Sequence, residues 1–378
     1  MIKYVPFIDL NSQYALIGKE IEESTLRVLR SGQYILGPEV ERLEASLAEF
    51  AGVRYVASCA SGTDALVIAL MAKGVGQGDV VITTPFTFVA SAECIAMLGA
   101  KPLFVDVDPV TYNICPVSIE RAVTSGRHEN IKGIIGVDIF GLPADYDQIN
   151  RIAAEHGLFV IEDAAQSFGS MHGSKRAGAL AEIGCTSFFP AKPLGGVGDG
   201  GALFTDDQAL DTLFRSIRVH GQGSDRYENV RLGLTGRLDA LQAAALGPKL
   251  KIFPEELKAR QRVAEEYATA LASVGAHVTV PSIPDNYRSA WAQYCLLAES
   301  SGHRQRLMDA LKAVGVPTAI YYPKPLHLQT VFADLGYKMG DLPVSEDIAS
   351  RIFAVPMHPY LDTPTIVMIA STIASVPS

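Results

Sequence analysis

The feature that most constrains the fold of this chain is the alternation of short apolar runs with helical patterns. Strand-like runs lie at residues 80–83, 103–107, 133–137 and 158–161. Helical patterns separate them, as in residues 145–155, where Ile149, Ile152 and Ala153 share one face of a helix. Such alternation predicts an α/β fold with a mainly parallel sheet that is covered by helices on both faces.

The length of the chain predicts two domains. With 378 residues, of which 48% are hydrophobic, it can bury a substantial core. We expect a large domain over residues 1–248 and a smaller α/β domain over 249–378. A helical stretch at 250–274 would lead into the second domain, which has strand-like segments near Val278, Tyr294 and Thr318. Residues 221–234, rich in Gly, Ser, Asp and Asn, are predicted to form a long functional or mobile loop.

Charge and cysteine content exclude several classes of function. A net charge of −9 argues against general affinity for nucleic acid or an anionic membrane, which would need a basic surface. The five cysteines show no paired short spacing, so we expect reduced core residues rather than disulfides or a metal site. The amino end lacks the layout of a signal peptide, and no apolar run has the length of a membrane span. These features predict a cytoplasmic protein.

Lys192 is the first candidate for a catalytic residue. It follows an apolar strand-like run and precedes the glycine-rich segment 195–201. An amine in a poorly solvated pocket has a lowered pKa and can attack an aldehyde. The alternative is a surface lysine whose charge stays in water, which is the usual disposition of this residue type.

Two polar residues follow the strand-like run at 158–161. Asp163 lies at its carboxyl end, where open α/β sheets bind ligands, and Gln166 comes just after it. An enzyme that uses pyridoxal phosphate (PLP) needs such a carboxylate, because it keeps the ring nitrogen protonated and so makes the ring an electron sink. The alternative role for Asp163 is a helix cap.

Residues 58–70 predict a helix that starts near Gly62. Ser61 and Asp64 have the spacing of a capping box. The free N–H groups at the helix start, with Gly62 and the Thr63 hydroxyl, can cradle a phosphate; the alternative is a capped helix without a ligand. Phe88 follows the strand at 80–83, so it can either stack on a planar cofactor or belong to the core.

In this order and at these separations, the segments resemble the DegT/DnrJ/EryC1/StrS family of fold-type I PLP-dependent aminotransferases, which act on nucleotide-linked keto-sugars. The resemblance covers nearly the whole chain. It is carried by segments 7–10, 31–39, 61–66, 162–166, 236–244 and 323–329.

The resemblance implies a role for each candidate residue. Lys192 would be the lysine that binds PLP covalently, Asp163 would pair with the pyridine nitrogen and Gln166 would contact the ring hydroxyl. The other cofactor contacts implied are Gly62, Thr63 and Ser187 with the phosphate and Phe88 with the ring face. Related dehydratases carry histidine in place of this lysine, so Lys192 favours transamination.

The chain departs from the family pattern at two positions. Thr235 stands near where most members have an asparagine that reaches the cofactor phosphate of the neighbouring subunit, and Tyr321 replaces a histidine that usually lies near the sugar. Thr235 can still donate a hydrogen bond, whereas the change at Tyr321 bears on substrate choice.

The resemblance also suggests residues that contact the substrate, namely Gly32, Tyr34, Arg237, Tyr321 and Tyr322. Arg237 can hold a carboxylate bidentately, or it can form a structural ion pair with Asp239 or Glu228. His220 and His327 are expected to be structural.

We therefore expect an aminotransferase that takes an amino group from an amino acid such as L-glutamate and gives it to a keto-sugar bound to a nucleotide. The sequence around Lys192 is most similar to that of enzymes that act on UDP-2-acetamido-2-deoxy-3-oxo-D-glucuronate in O-antigen synthesis. Alternatives are a dTDP-linked 3-keto or 4-keto-6-deoxyhexose as substrate, or a regulatory protein that binds PLP without turnover. The family further implies a homodimer in which each subunit completes its neighbour's site.

Overall fold

The computed structural model describes residues 5–225 and 227–377, in which helices and strands alternate along the chain. The helices of these two ranges are α1 (Leu10–Ser31), α2 (Pro38–Ala51), α3 (Gly62–Ala72), α4 (Ala90–Met97), α5 (Pro116–Thr124), α6 (Tyr146–His156), α7 (Gln208–Ile217), α8 (Ala240–Ser273), α9 (Ser301–Ala313), α10 (Pro343–Arg351) and α11 (Thr363–Ala374). Among them, none combines the length and the apolar composition needed to cross a bilayer.

The strands form three sheets. They are β1 (Tyr55–Cys59), β2 (Val80–Thr83), β3 (Lys101–Phe104), β4 (Ile131–Val137), β5 (Phe159–Asp163), β6 (Met171–His172), β7 (Lys175–Arg176), β8 (Ile183–Ser187), β9 (Gly201–Thr205), β10 (Val278–Thr279), β11 (Tyr287–Arg288), β12 (Tyr294–Ala298) and β13 (Ile352–Val355). The seven-stranded sheet has the order β1-β9-β8-β5-β4-β2-β3. Strands β3, β2, β4, β5 and β8 run parallel, and β9 runs antiparallel to β1 and β8. The mainly parallel sheet predicted from the sequence is confirmed.

The strand expected at 103–107 is shorter than the sequence predicts, because β3 ends at Phe104. Asp106 accounts for the difference. Its carboxylate accepts hydrogen bonds from the backbone N–H groups of Val344 and Ser345, both at 2.9 Å, and from the Ser345 hydroxyl at 2.6 Å. These bonds tie the segment after β3 to the start of α10 instead of extending the sheet.

The helix expected at 250–274 begins earlier, at Ala240, and runs for 34 residues as α8 with Pro248 and Pro254 inside it. The expected domain boundary at 248 therefore falls within one helix, and the division stays a prediction. Towards its carboxyl end, α8 packs through Val263 and Tyr267 into a core that includes residues of β12 and β13.

A second, three-stranded sheet has the order β10-β12-β13. The expected strand near Thr318 is reduced to a single bridge between Ala319 and Ala354. Pro317 and Pro323 flank this segment, and proline has no N–H to donate to a sheet. The strand β13, which supplies the bridge partner, was not predicted.

A buried ionic network joins α2 and α7 to the end of β1. The carboxylate of Glu44 accepts from the backbone N–H and the hydroxyl of Ser58, at 2.9 and 2.8 Å, and pairs with Arg218 at 2.6 Å and Arg215 at 2.8 Å. Burial alone would raise the pKa of Glu44, but the two guanidinium groups outweigh it and hold the pKa below its ordinary value. The network thus fixes the end of β1, just before Ser61.

We expect Glu44→Gln to lower the free energy of unfolding by about 3–5 kcal/mol, because the Arg218 guanidinium would stay buried without a carboxylate. The matched control is Glu255→Gln, which removes an exposed pair with Lys258 and should cost no more than about 1 kcal/mol. Urea unfolding of both variants measures the difference. A Glu44→Gln variant as stable as the control would contradict a stabilising role for the network.

Candidate active site

The candidate residues lie at the carboxyl edge of the parallel sheet. Asp163 is the last residue of β5 and Ser187 the last of β8, and these strands are parallel neighbours. Strand β2 ends at Thr83 and leads through residues 84–87 to Phe88. The sheet therefore brings together groups that are far apart in sequence, at the edge where open α/β sheets bind ligands.

Asp163 is a buried carboxylate that retains hydrogen-bond donors. Its Oδ2 accepts from the Ser91 hydroxyl at 2.7 Å, and its Oδ1 accepts from the backbone N–H of Ala165 at 3.2 Å. Burial raises the pKa of Asp163, while these donors and the nearby Lys192 ammonium act in the opposite direction. Residues 165–169 form turns rather than a helix, so Asp163 does not act as a helix cap.

Lys192 lies in the loop between β8 and β9, partly buried and close to Asp163. Its backbone N–H donates to the carbonyl of Phe189 at 2.8 Å. Burial lowers the pKa of the Lys192 amine, and the Asp163 carboxylate offsets only part of this effect. The lowered pKa increases the neutral, nucleophilic fraction of the amine at a given pH.

The loop that carries Lys192 is held by α8. The buried ammonium of Lys249 donates to the carbonyls of Gly195 and Gly196, at 2.8 and 3.3 Å, and Gln242 accepts from the N–H of Val197 at 2.9 Å. A side chain on Gly196 would come within 2.8 Å of the Gln242 amide oxygen. We did not predict either anchor; the signal was the spacing of seven residues between Gln242 and Lys249, which puts both on one face of a helix.

Gln166 and Tyr322 meet within the site. The Gln166 side chain is buried, accepts from the backbone N–H of Phe140 at 2.8 Å and donates to the Tyr322 hydroxyl at 3.2 Å. The Tyr322 ring also packs edge-on against Phe86, with ring centroids 6.3 Å apart. The carboxyl-terminal part of the chain therefore contributes to this edge of the large sheet.

The predicted cradle is formed where α3 begins. The Ser61 hydroxyl accepts from the backbone N–H of Asp64 at 3.0 Å, so Ser61 caps the helix as predicted. A Cβ on Gly62 would lie 2.7 Å from the Cβ of Ser187, so only glycine allows this close approach. The first N–H groups of a helix have no partner within it, and those of Gly62 and Thr63 therefore remain for an anion, together with two hydroxyl groups.

Phe88 is 54% exposed beside this edge of the sheet. The alternative that it is a core residue is therefore wrong, and its ring is available to a planar ligand. Ser91, which bonds to Asp163, follows three residues later at the start of α4, and its N–H donates to the Phe88 carbonyl at 3.4 Å. We did not predict Ser91; its spacing of three residues from Phe88 was the available signal.

The segment that contains Thr235 and Arg237 runs beside the cradle. The carbonyl of Gly236 accepts from the N–H of Ala60 at 3.2 Å. Arg237 is partly buried, and within residues 5–225 and 227–377 it forms no salt bridge with Asp239 or Glu228. Thr235 is exposed. This arrangement leaves the guanidinium group of Arg237 for another anion.

The remaining predicted substrate residues lie further out. Gly32 and Tyr34 are exposed, and the Tyr34 carbonyl accepts from the N–H of Ala240 at 2.9 Å, which places this turn at the start of α8. Tyr321 packs against Phe7 with ring centroids 6.4 Å apart. No side-chain bond in the described part of the chain joins these three residues to Asp163 or Lys192. His327 is buried and pairs with Glu346 at 3.0 Å, in agreement with a structural role.

The residues of this site suit both the phosphate and the ring of PLP. The cradle with Gly62 and Ser187 suits a phosphate, Asp163 suits a protonated ring nitrogen, and the amine of Lys192 suits an aldehyde. The exposed ring of Phe88 suits a planar face. These assignments of individual residues remain predictions that mutagenesis can test.

Comparison with known proteins identifies close relatives. The sequence profile of the DegT/DnrJ/EryC1/StrS aminotransferase family matches residues 15–374. The chain is 50% identical to the UDP-2-acetamido-2-deoxy-3-oxo-D-glucuronate aminotransferase of Pseudomonas aeruginosa, over 98% of this chain and 100% of that protein.

Two solved structures extend the similarity to the fold. A DegT DnrJ EryC1 StrS aminotransferase from Brucella abortus matches with a TM-score of 0.93 and 47% identity, over 98% of both chains. NtdA from Bacillus subtilis, with the bound cofactor PMP, matches with a TM-score of 0.88 and 29% identity over 99% of this chain and 86% of that one.

We expect Lys249→Met to speed amide hydrogen exchange at Gly196 and Val197, because the loop would lose two charge-assisted bonds while the apolar stem is retained. The loss of unfolding free energy should be about 1–3 kcal/mol. Lys251→Met is the matched control on the same helix, since Lys251 is exposed. Equal exchange rates in the two variants would show that Lys249 does not hold the loop.

Proposed function

Because the chain belongs to the DegT/DnrJ/EryC1/StrS aminotransferase family, we propose that it transfers the amino group of L-glutamate to UDP-2-acetamido-2-deoxy-3-oxo-D-glucuronate. The protein is a PLP-dependent sugar aminotransferase. The choice of sugar rests on the full-length similarity to the Pseudomonas enzyme. The observation that carries the chemistry is that Asp163 and Ser187 end the neighbouring parallel strands β5 and β8, and that Lys192 lies in the loop that follows β8.

The residues of the chain divide the work of transamination between them. PLP, when bound, supplies an aldehyde that reacts with amines and a ring that accepts electrons. With PLP bound, the Asp163 carboxylate would accept a hydrogen bond from the ring nitrogen and would keep that nitrogen protonated. Nζ of Lys192 removes the proton from the α-carbon of the amino acid and delivers a proton to the sugar carbon that gains the amine. The lowered pKa of Lys192 favours the first task, since only the neutral amine can take a proton.

Arg237 supports a substrate that carries a carboxylate. Arg237 is partly buried in a segment that runs beside the cradle, and in the described part of the chain it forms no salt bridge with Asp239 or Glu228. A bidentate contact would hold the carboxylate of glutamate or that of the uronate sugar. Since each half of the reaction brings one of these anions to the same place, one arginine serves both.

The product would be a diamino sugar for a cell-surface polysaccharide such as O-antigen.

A second copy of the chain is the partner that we propose for the exposed loops around the site. Ile35 is 49% exposed, Val230 50% and Leu232 87%. The first flanks the start of α8 and the other two lie in the loop that returns to Thr235. Burial of these apolar side chains against a symmetry-related copy would stabilise a homodimer, with Thr235 and Arg237 near the interface.

The wild-type protein should take up PLP, absorb near the visible edge and lose that absorbance with glutamate. It should aminate the UDP-linked 3-oxo-glucuronate faster than dTDP-linked 3-keto or 4-keto sugars.

Lys192→Ala should retain the fold and bind PLP noncovalently, with transamination slowed by about 10²–10⁴-fold or more. Lys175→Ala, at an exposed position, is the control. The measurements are 2-oxoglutarate release and the absorbance change. Borohydride-reduced cofactor on a lysine other than 192 would disprove the assignment, and PLP binding without bleaching would favour a regulatory protein.

A mixture of Lys192→Ala and Arg237→Ala should recover activity when the subunits exchange. If sites are shared, a mixed dimer has one site with both defects and one with neither. Up to about a quarter of wild-type activity should then return when half the dimers are mixed. Native mass spectrometry verifies the exchange. Verified exchange with no recovered activity would place Arg237 in the site of its own chain.

A further inference from the structure

Two hydroxyl groups form a buried chain that ends on Asp163. The Ser91 hydroxyl donates to Oδ2 of Asp163 at 2.7 Å, and Oγ1 of Thr87 lies 3.2 Å from the Ser91 oxygen. Ser91 is 1% exposed and Thr87 2%. An ionised carboxylate can only accept hydrogen bonds, so Ser91 must give its single proton to Asp163 and accept the proton of Thr87. The order of donation is therefore Thr87 to Ser91 to Asp163.

Asp163 needs such donors because its surroundings favour the neutral acid. Burial raises the pKa of its carboxyl group, and a protonated Asp163 would lose the charge that pairs with the ring nitrogen. A second acid, Asp138, lies close by, and burial, with a smaller contribution from the Asp163 carboxylate, raises its pKa. Lys192 is the positive group that acts on Asp163. Its charge is not constant, however, because the proposed reaction requires the neutral amine.

Ser91 differs from Lys192 in that its contribution persists throughout the reaction. A hydroxyl donor does not titrate in the range in which enzymes work, and the bond to Oδ2 fixes one oxygen of the carboxylate. The backbone N–H of Ala165 holds the other oxygen at the longer distance of 3.2 Å. The carboxylate is therefore oriented by two donors, of which only the Ser91 hydroxyl can be removed by substitution.

We propose that Ser91, supported by Thr87, is a positioning residue that keeps Asp163 ionised and oriented toward the nitrogen of the bound cofactor ring. This inference rests on the proposed cofactor site. Residues 87–91 supply both parts of the arrangement, because Thr87 and Ser91 are four residues apart across the start of α4 and Phe88 lies between them in sequence. One short segment thus presents an aromatic face and the hydroxyl groups that orient the carboxylate.

The experiment measures cofactor binding and ring protonation rather than turnover. Apoenzyme is titrated with PLP to obtain the dissociation constant, and PLP labelled with ¹⁵N in the ring reports protonation through its chemical shift. Ser91→Ala should weaken binding about tenfold and move the ¹⁵N signal toward that of the unprotonated ring, because a bond to a charged group is lost. Ser91→Thr retains the hydroxyl and should restore both values.

Asp163→Asn and Thr87→Val distinguish a failure of the proposed cofactor site from a failure of the inference about Ser91. Asp163→Asn should move the ¹⁵N signal at least as far as Ser91→Ala. If Asp163→Asn leaves the signal at the wild-type position, the proposed cofactor site itself is wrong. The inference about Ser91 is overturned if Asp163→Asn moves the signal but Ser91→Ala does not. In that outcome, Ser91→Ala leaves the ¹⁵N signal at the wild-type position and the dissociation constant within twofold of the wild-type value. Should Ser91→Ala fail to fold, Thr87→Val decides, with a smaller shift in the same direction expected and an unchanged signal counting against the chain.

Discussion

The burial of the Asp163 carboxylate is the constraint on which the rest of the site depends. Removal of a charged group from water costs free energy that only paired charges and hydrogen bonds offset. The chain meets this cost with Ser91, the Ala165 N–H and the amine of Lys192. Burial also lowers the pKa of Lys192, so one poorly solvated region raises the pKa of a carboxyl group and lowers that of an amine.

The sheet and α8 together give these groups their positions. Parallel strands β5 and β8 end side by side and deliver Asp163 and Ser187 to the same edge. Helix α8 holds the loop that contains Lys192, because Lys249 and Gln242 form hydrogen bonds with the backbone of that loop. A buried ammonium on two carbonyl groups is a strong anchor, since its removal leaves both carbonyls to find other donors.

Local patterns in the sequence predicted much of this arrangement, and contacts between distant residues account for what they missed. The cap at Ser61, the strand that ends at Asp163 and the loop with Lys192 each depend on neighbouring residues, and each was found. Ser91 lies 72 residues from Asp163, and Tyr322 lies 156 residues from Gln166, so no local pattern could reveal these bonds. The strand predicted at 103–107 failed for the same reason, because Asp106 bonds to residues 238 and 239 positions away. The boundary predicted at residue 248 falls inside α8, which continues through Pro248 and Pro254.

The continuity of α8 limits how the protein can be divided. A fragment that ends at residue 248 would include the seven-stranded sheet, Asp163 and Lys192 but would lack Lys249, whose ammonium holds the backbone of the loop that contains Lys192. It would also cut the helix away from the core around Val263 and Tyr267, on which its second half packs. Such a truncation would retain most of the candidate cofactor-binding side chains and still lose the support that positions one of them. The seven-stranded sheet and the β10-β12-β13 sheet therefore both depend on α8 and do not form independent pieces of polypeptide.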